Sequence, residues 1–160
     1  MESIASWERE LQINGVLFGR NRVVSYNSSL LVEVHRKPST GLYEEINHLY
    51  WIVTHIGVIR KWGVHKTTTD TYSVVYGKVE VALWDGRHES STYGETVIIE
   101  LNSENGDALK IPPGVWHTFR SKTETSILMN SKSPSWTSED TDKVSYDFSE
   151  SIPPFQWPVL

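Results

Sequence analysis

From about residue 22 the chain alternates short apolar runs with polar breaks, a spacing typical of all-β proteins. VVSYNSSLLVEVHR reads as two strands around an Asn-Ser-Ser turn, and HLYWIVTHIGVI as a long buried strand interrupted at Gly57. In DTYSVVYGKVEVALW, two alternating runs meet at Tyr76-Gly77-Lys78. Strict alternation puts Tyr72, Val74, Val79, Val81 and Leu83 on one inner face. DGRHESSTYGE then reads as a polar hairpin loop, TVIIEL as a strand, ENGD as a turn and PPG as a break between ALKI and VWHTF. ETSILMN is a further strand, and IPPFQWP forms an extended proline-rich tail. One short helix is predicted at the start, through SWEREL, with Ser3 or Ser6 as cap and Trp7 and Leu11 on one face. Short strands at this spacing, without repeats or linkers, predict a sandwich or barrel in a single domain, 1–160.

Composition narrows the class of partner. The chain has 160 residues, a net charge of −5 and a pI near 5.7, which disfavours nucleic acid or an anionic membrane as the main partner. No apolar run is long enough for a membrane span. MESIASWEREL carries acids where a signal peptide has basic and apolar regions, so a cytoplasmic protein is expected. Cysteine is absent, which removes disulfides, thiolate nucleophiles and zinc–thiolate sites together. Seven Trp and seven Tyr are a high aromatic load, suited to core packing or to a pocket lined with flat rings for sugars and nucleobases. No P-loop, G-x-S-x-G or dinucleotide fingerprint occurs.

Two spaced motifs carry the chemistry. Gly57, VIRKW, Gly63, Val64, His65, KTTT, Asp70, TYSVVY and Gly77 keep the spacing G-x5-H-x-H-x4-E-x6-G. Gly106, DALKI, Pro112, Pro113, Gly114, Val115, Trp116, His117, TFR and Ser121 keep G-x5-P-x-G-x2-H-x3-N. Together they resemble the paired motifs of the cupins, which implies a jelly-roll barrel (double-stranded β-helix). Alternation then turns His65, Asp70 and His117 inward at one barrel mouth. In metal-binding cupins the marked positions hold an ion. Here Gly63, Asp70 and Ser121 replace three of them, leaving His65, Asp70 and His117 as a reduced set for a divalent metal. No cofactor is expected. His48 and His55 are at odd spacing and point to opposite faces.

Over roughly residues 30–158, GVIRKW, VVYGKVEVALWDGRHESSTYGE, LNSEN, LKIPPGVWHTF and IPPFQWP resemble the dTDP-4-dehydrorhamnose 3,5-epimerase family. The resemblance implies a metal-free barrel acting on nucleotide-linked 4-keto sugars, in which a base removes the proton beside the ketone and a tyrosine returns one on the opposite face. It also implies a homodimer, with the N-terminal segment 1–30 exchanged between subunits. Departures fall at the chemical centre. The family's basic His is Gly63 here, its acidic Tyr is Met129 or Asn130, and its lysine is Asp70. Asp147 matches the family's dyad aspartate without its histidine.

The residues left predict a non-standard set. His65, Asp70 and His117 are candidates for proton transfer, with Tyr72 as a substitute acid. Arg60 is a candidate anchor for a diphosphate through its planar guanidinium. Trp62, Arg87, Trp116 and Asn130 are further candidate ligand contacts. The leading expectation is an epimerase- or isomerase-like enzyme for a keto sugar. A sugar-binding protein without catalysis and a metal-dependent isomerase, cyclase or oxygenase stand as alternatives.

Overall fold

The computed structural model describes residues 2–4, 7–26, 29–34, 45–133, 142–146 and 157. Its regular elements are almost all strands: β1 (Glu2–Ile4), β2 (Trp7–Glu10), β3 (Leu17–Arg20), β4 (Arg22–Tyr26), β5 (Ser29–Glu33), β6 (His48–His55), β7 (Trp62–His65), β8 (Asp70–Tyr76), β9 (Lys78–Asp85), β10 (Thr96–Asn102), β11 (Asp107–Ile111), β12 (Val115–Ser121), β13 (Thr125–Lys132) and β14 (Lys143–Tyr146). A six-stranded sheet, β2-β3-β11-β8-β13-β6, faces a five-stranded sheet, β10-β9-β12-β7-β14, and a three-stranded sheet, β1-β4-β5, lies beside them. All the strand pairs are antiparallel, as a jelly roll requires.

Alternation places the core as the sequence predicts. Val79, Val81 and Leu83 from β9 meet Tyr72 and Val74 from β8, with Leu109, Phe119 and Leu128 between them. Each such side chain contributes about 1.5–3 kcal/mol on burial, which makes this shared interior the main term holding the two sheets face to face.

Three expectations change. The helix through SWEREL is instead strand β2, whose Trp7–Glu10 pairs with Arg20–Leu17 of β3. A lone turn of helix has an unfavourable nucleus, whereas a sheet edge supplies ready backbone partners. Ser6 lies outside the described residues, as do Asp147 and the IPPFQWP tail apart from Trp157. The second change concerns Gly77. The runs on either side of it are strands, but they do not pair with each other: β8 joins β11 and β13, while β9 joins β10 and β12. Gly77, at φ 74°, carries the chain from one sheet to the other. The third is β6, which is an edge strand buried on one side only. Its outward Leu49, Trp51 and Val53 are 53%, 72% and 54% exposed.

The apolar core does not fill the barrel. A cavity of about 480 Å³ remains, walled mainly by β6, β7, β8, β12, β13 and β14 and by the segment before β7.

Candidate functional site

The cavity gathers side chains from both faces of the barrel. His65 comes from the end of β7, Asp70 and Tyr72 from the start of β8, His117 from β12, and Asn130 and Tyr50 from the paired strands β13 and β6. Asp70 Oδ2 lies 3.5 Å from His65 Nε2 and 3.6 Å from His117 Nε2, and the two imidazoles stack with centroids 6.3 Å apart. Asn130 Nδ2 donates to Asp70 Oδ1 at 2.7 Å and to Tyr50 Oη at 2.9 Å. The register explains this convergence, since Tyr72 stands opposite Asn130 and Asp70 opposite Lys132 across β8 and β13.

Hydrogen bonds fix the state of both rings. His65 Nδ1 meets Asp142 Oδ2 at 2.9 Å. Burial alone would raise the Asp142 carboxyl, but hydrogen bonds from Thr68, Thr67 and His65 hold it well below the usual carboxylate range. An ionised acceptor puts the proton on Nδ1 and the lone pair on Nε2, where Lys132 Nζ sits 2.8 Å away. His117 Nδ1 meets the carbonyl of Val115 at 3.1 Å, which again assigns the proton to Nδ1. Burial lowers the His117 pKa below its ordinary 6.5, opposed by the Asp70 charge and the Val115 bond, with His65 and Lys143 adding to the lowering. Tyr72 is pushed well above 10 by burial and then by Asp70 and Tyr50, with Arg60 opposing, so its hydroxyl keeps its proton. Its ring stands edge-on to His117, 5.7 Å between centroids.

Arg60, Lys61 and Lys143 also line the cavity, so its walls carry positive charge beside the buried polar cluster. The aliphatic stem of Lys143 passes over Gly63, where an added Cβ would meet its Cε at 3.3 Å. A side chain at position 63 would require the Lys143 stem to shift by a few tenths of an ångström.

The other predicted contacts lie elsewhere. Trp62 is buried on the opposite side of β7, and Trp116 stands beside Trp84, centroids 6.5 Å apart; neither lines the cavity. Arg87 is also outside it, held by Asp85 at 2.8 Å and by the Asn14 carbonyl at 2.8 Å. Alternation along each strand pointed to His65, Asp70, Tyr72 and His117. It missed Lys132, Asp142, Tyr50 and Lys143. Inward alternation from Asn130 marks Lys132 on the same face of β13, a usable signal; Asp142 follows a long polar stretch and had none.

Asp70 and the two histidines do not fit a divalent ion as they stand. A metal would need the His65 Nε2 lone pair and the Asp70 carboxylate, and the Lys132 ammonium already faces both, at 2.8 and 3.8 Å. Among the described residues no group of three or more His, Cys, Asp or Glu side chains is arranged to hold a metal ion.

The two facing antiparallel sheets and the polar cavity between them define a cupin-type jelly-roll protein. Over residues 10–152 the sequence matches dTDP-4-dehydrorhamnose 3,5-epimerase, and the chain belongs to that family. It is 29% identical, over 143 residues covering 87% of this chain and 85% of the relative, to the probable low-salt glycan biosynthesis epimerase Agl13 of Haloferax volcanii. A dTDP sugar isomerase from Desulfovibrio desulfuricans shares the fold at a TM-score of 0.85, 21% identity and coverage of 93% and 94% of the two chains. The epimerase RmlC from Legionella pneumophila, solved in complex with dTDP-4-keto-L-rhamnose, superposes at 0.82 with 19% identity, covering 97% and 85%. Among the described residues no helix is long and apolar enough to cross a membrane.

Proposed function

We propose that this protein moves a proton next to the ketone of a nucleotide-linked keto sugar, as an epimerase or isomerase with its own catalytic set. The observation that carries this reading is the placement of the buried His117, Asp70, His65 and Tyr72 around one cavity. Proton abstraction beside a ketone needs a neutral base and a protonated acid on one ligand, and burial biases His117 and Tyr72 to those states. Arg60, Lys61 and Lys143 in the lining suit a diphosphate, and Asn130 and Tyr50 supply hydrogen-bonding groups for sugar hydroxyls. Membership of the epimerase family and the sugar nucleotide bound by a structural neighbour support the same ligand class. Trp62, Trp116 and Arg87 have no place in this site.

The reading extends to a single cytoplasmic cupin domain that works as a homodimer. The outward apolar row of β6 supports the dimer. In the single chain β1 and β2 pair with its own β4 and β3, so exchange of segment 1–30 is not needed to complete these sheets.

A second reading, a sugar-nucleotide-binding protein without turnover, rests on Gly63, the position that the resemblance assigns to the family's base, over which the Lys143 stem packs. Incubation with dTDP-4-keto-6-deoxyglucose in D2O separates the two. Loss of the C3 or C5 proton signal above the protein-free rate is expected. Saturable binding with both signals intact would replace the enzyme by the binding protein.

A further inference from the structure

Two imidazoles approach Asp70 Oδ2 at nearly equal distances, but their other nitrogen contacts differ. Building on the proton-transfer reading above, we infer that His117 takes the proton from the keto sugar, while Lys132 and Asp142 hold His65 as an already occupied ring beside it. Both His65 nitrogens are engaged: Nδ1 with Asp142 at 2.9 Å and Nε2 with the Lys132 ammonium at 2.8 Å. Lys132 is 5% exposed and is not among the residues lining the cavity, so it reaches His65 from behind. For His65 to act as base, its Nε2 must first give up a charge-assisted hydrogen bond in a buried setting. Such bonds are roughly twice as strong as neutral ones. A proton arriving there would also place an imidazolium against an ammonium, which the low local dielectric makes costly.

His117 has the opposite arrangement. Its Nδ1 is used by the Val115 carbonyl, and among the described residues no donor reaches Nε2. Asp70 Oδ2 lies 3.6 Å from that nitrogen. The Asp70 carboxylate there stabilises the imidazolium once it forms, against the opposing influence of Lys143. The Asp70 carboxylate is itself oriented by Asn130 at 2.7 Å and by the Lys132 ammonium at 3.8 Å. Lys132 is therefore a positioning residue: it occupies His65 and steadies Asp70, without touching the ligand.

The step balances without a co-reactant. The C–H bond beside the ketone breaks, its electron pair passes into the enolate, and the proton goes to His117 Nε2. Tyr72 returns a proton to carbon from its hydroxyl, and solvent carries the His117 proton away as Tyr72 regains one.

The test compares His117→Gln, His65→Gln and wild type for exchange of dTDP-4-keto-6-deoxyglucose protons in D2O. General acid–base catalysis is worth about 100-fold or more, so His117→Gln should lose at least about 100-fold and His65→Gln less than about 10-fold. The reverse order overturns the assignment. In parallel, imidazole 15N spectra of the full chain read the occupied ring independently of turnover. His65 Nε2 should carry the signature of an accepted hydrogen bond, lost in Lys132→Met, while His117 Nε2 stays bare in both. A bare His65 Nε2 in the wild type overturns the occupied-ring geometry. Absence of any exchange by the wild type overturns the proton-transfer reading and the His117 role with it, and leaves the spectra to decide the geometry of His65.

Discussion

A buried histidine beside a buried tyrosine makes the site's pH response asymmetric in a way each residue dictates. His117 has a pKa below its ordinary 6.5, so as pH falls the unfolded chain takes up this proton before the folded one. Its contribution to stability is complete above about 6.5 and is lost progressively below that value. Tyr72 is raised above 10, so the unfolded chain ionises first on the alkaline side, and its contribution is present below about 10 and lost above it. The rate of proton exchange should therefore stay flat through both ordinary values, its acid limb lying below 6.5 and its alkaline limb above 10. A pH–rate profile with a limb at 6.5 or 10 would show that burial does not control these groups. His65, Asp70, Tyr72 and His117 were legible in the sequence because alternation along one strand needs only local information. Lys132 and Asp142 depend on register between strands and on a segment some seventy residues away, since Asp142 meets His65 across 77 positions. Neither is set by the local pattern around the motif. Asp142 stands at His65, while Asp147, matched to the dyad by resemblance, lies outside the described residues.

Elements are held in place by polar anchors that read in sequence as ligand contacts. Arg87 looked like a binding residue, but it closes the loop between β9 and β10. Asp85 is fully buried and receives Arg87 Nε at 2.8 Å, Ser90 Oγ at 2.7 Å and Thr92 Oγ1 at 2.7 Å. Burial would raise its carboxyl, yet Arg87, Thr92 and Ser90 keep it well below the usual range. Removing one partner of such a cluster costs about 3–5 kcal/mol. Asp85→Asn and Arg87→Met should each lower the midpoint of thermal unfolding while leaving affinity for dTDP within about threefold. A large loss of affinity with unchanged stability would return Arg87 to the binding site. Gly77 makes the same point for the backbone. At φ 74° an added Cβ would meet Thr123 Oγ1 and lie 2.7 Å from the Thr125 carbonyl oxygen, so Gly77→Ala should cost at least about 2 kcal/mol in denaturant unfolding. Strands on both sides of Gly77 were legible from period two; their separation into different sheets was not, because a tight turn and a sheet switch share the same glycine signal. The strand at Trp7–Glu10 was misread for a related reason, since four residues carry too little periodicity to tell 2 from 3.6.

At the scale of the molecule, the long strand read as buried exposes one face, with Leu49, Trp51 and Val53 53%, 72% and 54% exposed. Leu49, Trp51 and Val53 project from β6, and the paired positions on β13 are Ser131, Met129 and Ile127, so the outer surface carries a connected apolar strip at the sheet edge. The inward residues of the same strand, Tyr50 and Ile52, wall the cavity. One strand therefore couples the outer surface to the site, and covering its outer face would also steady the groups that hold Asn130. Trp51, at 72% exposure, is the largest apolar group on this strip and the one a second copy would bury most completely. Trp51→Glu would place a carboxylate in the middle of such an interface, and an unpaired charge buried there costs about 3–5 kcal/mol, enough to weaken association by at least about 100-fold. Sedimentation at micromolar concentration should find the wild type as a dimer and Trp51→Glu as a monomer. The same variant should bind dTDP more weakly than the wild type at low protein concentration, because loosening β6 loosens Tyr50. A wild type that sediments as a monomer across the whole range would assign the exposed strip to some partner other than this chain, and a Trp51→Glu dimer would move the interface to another face.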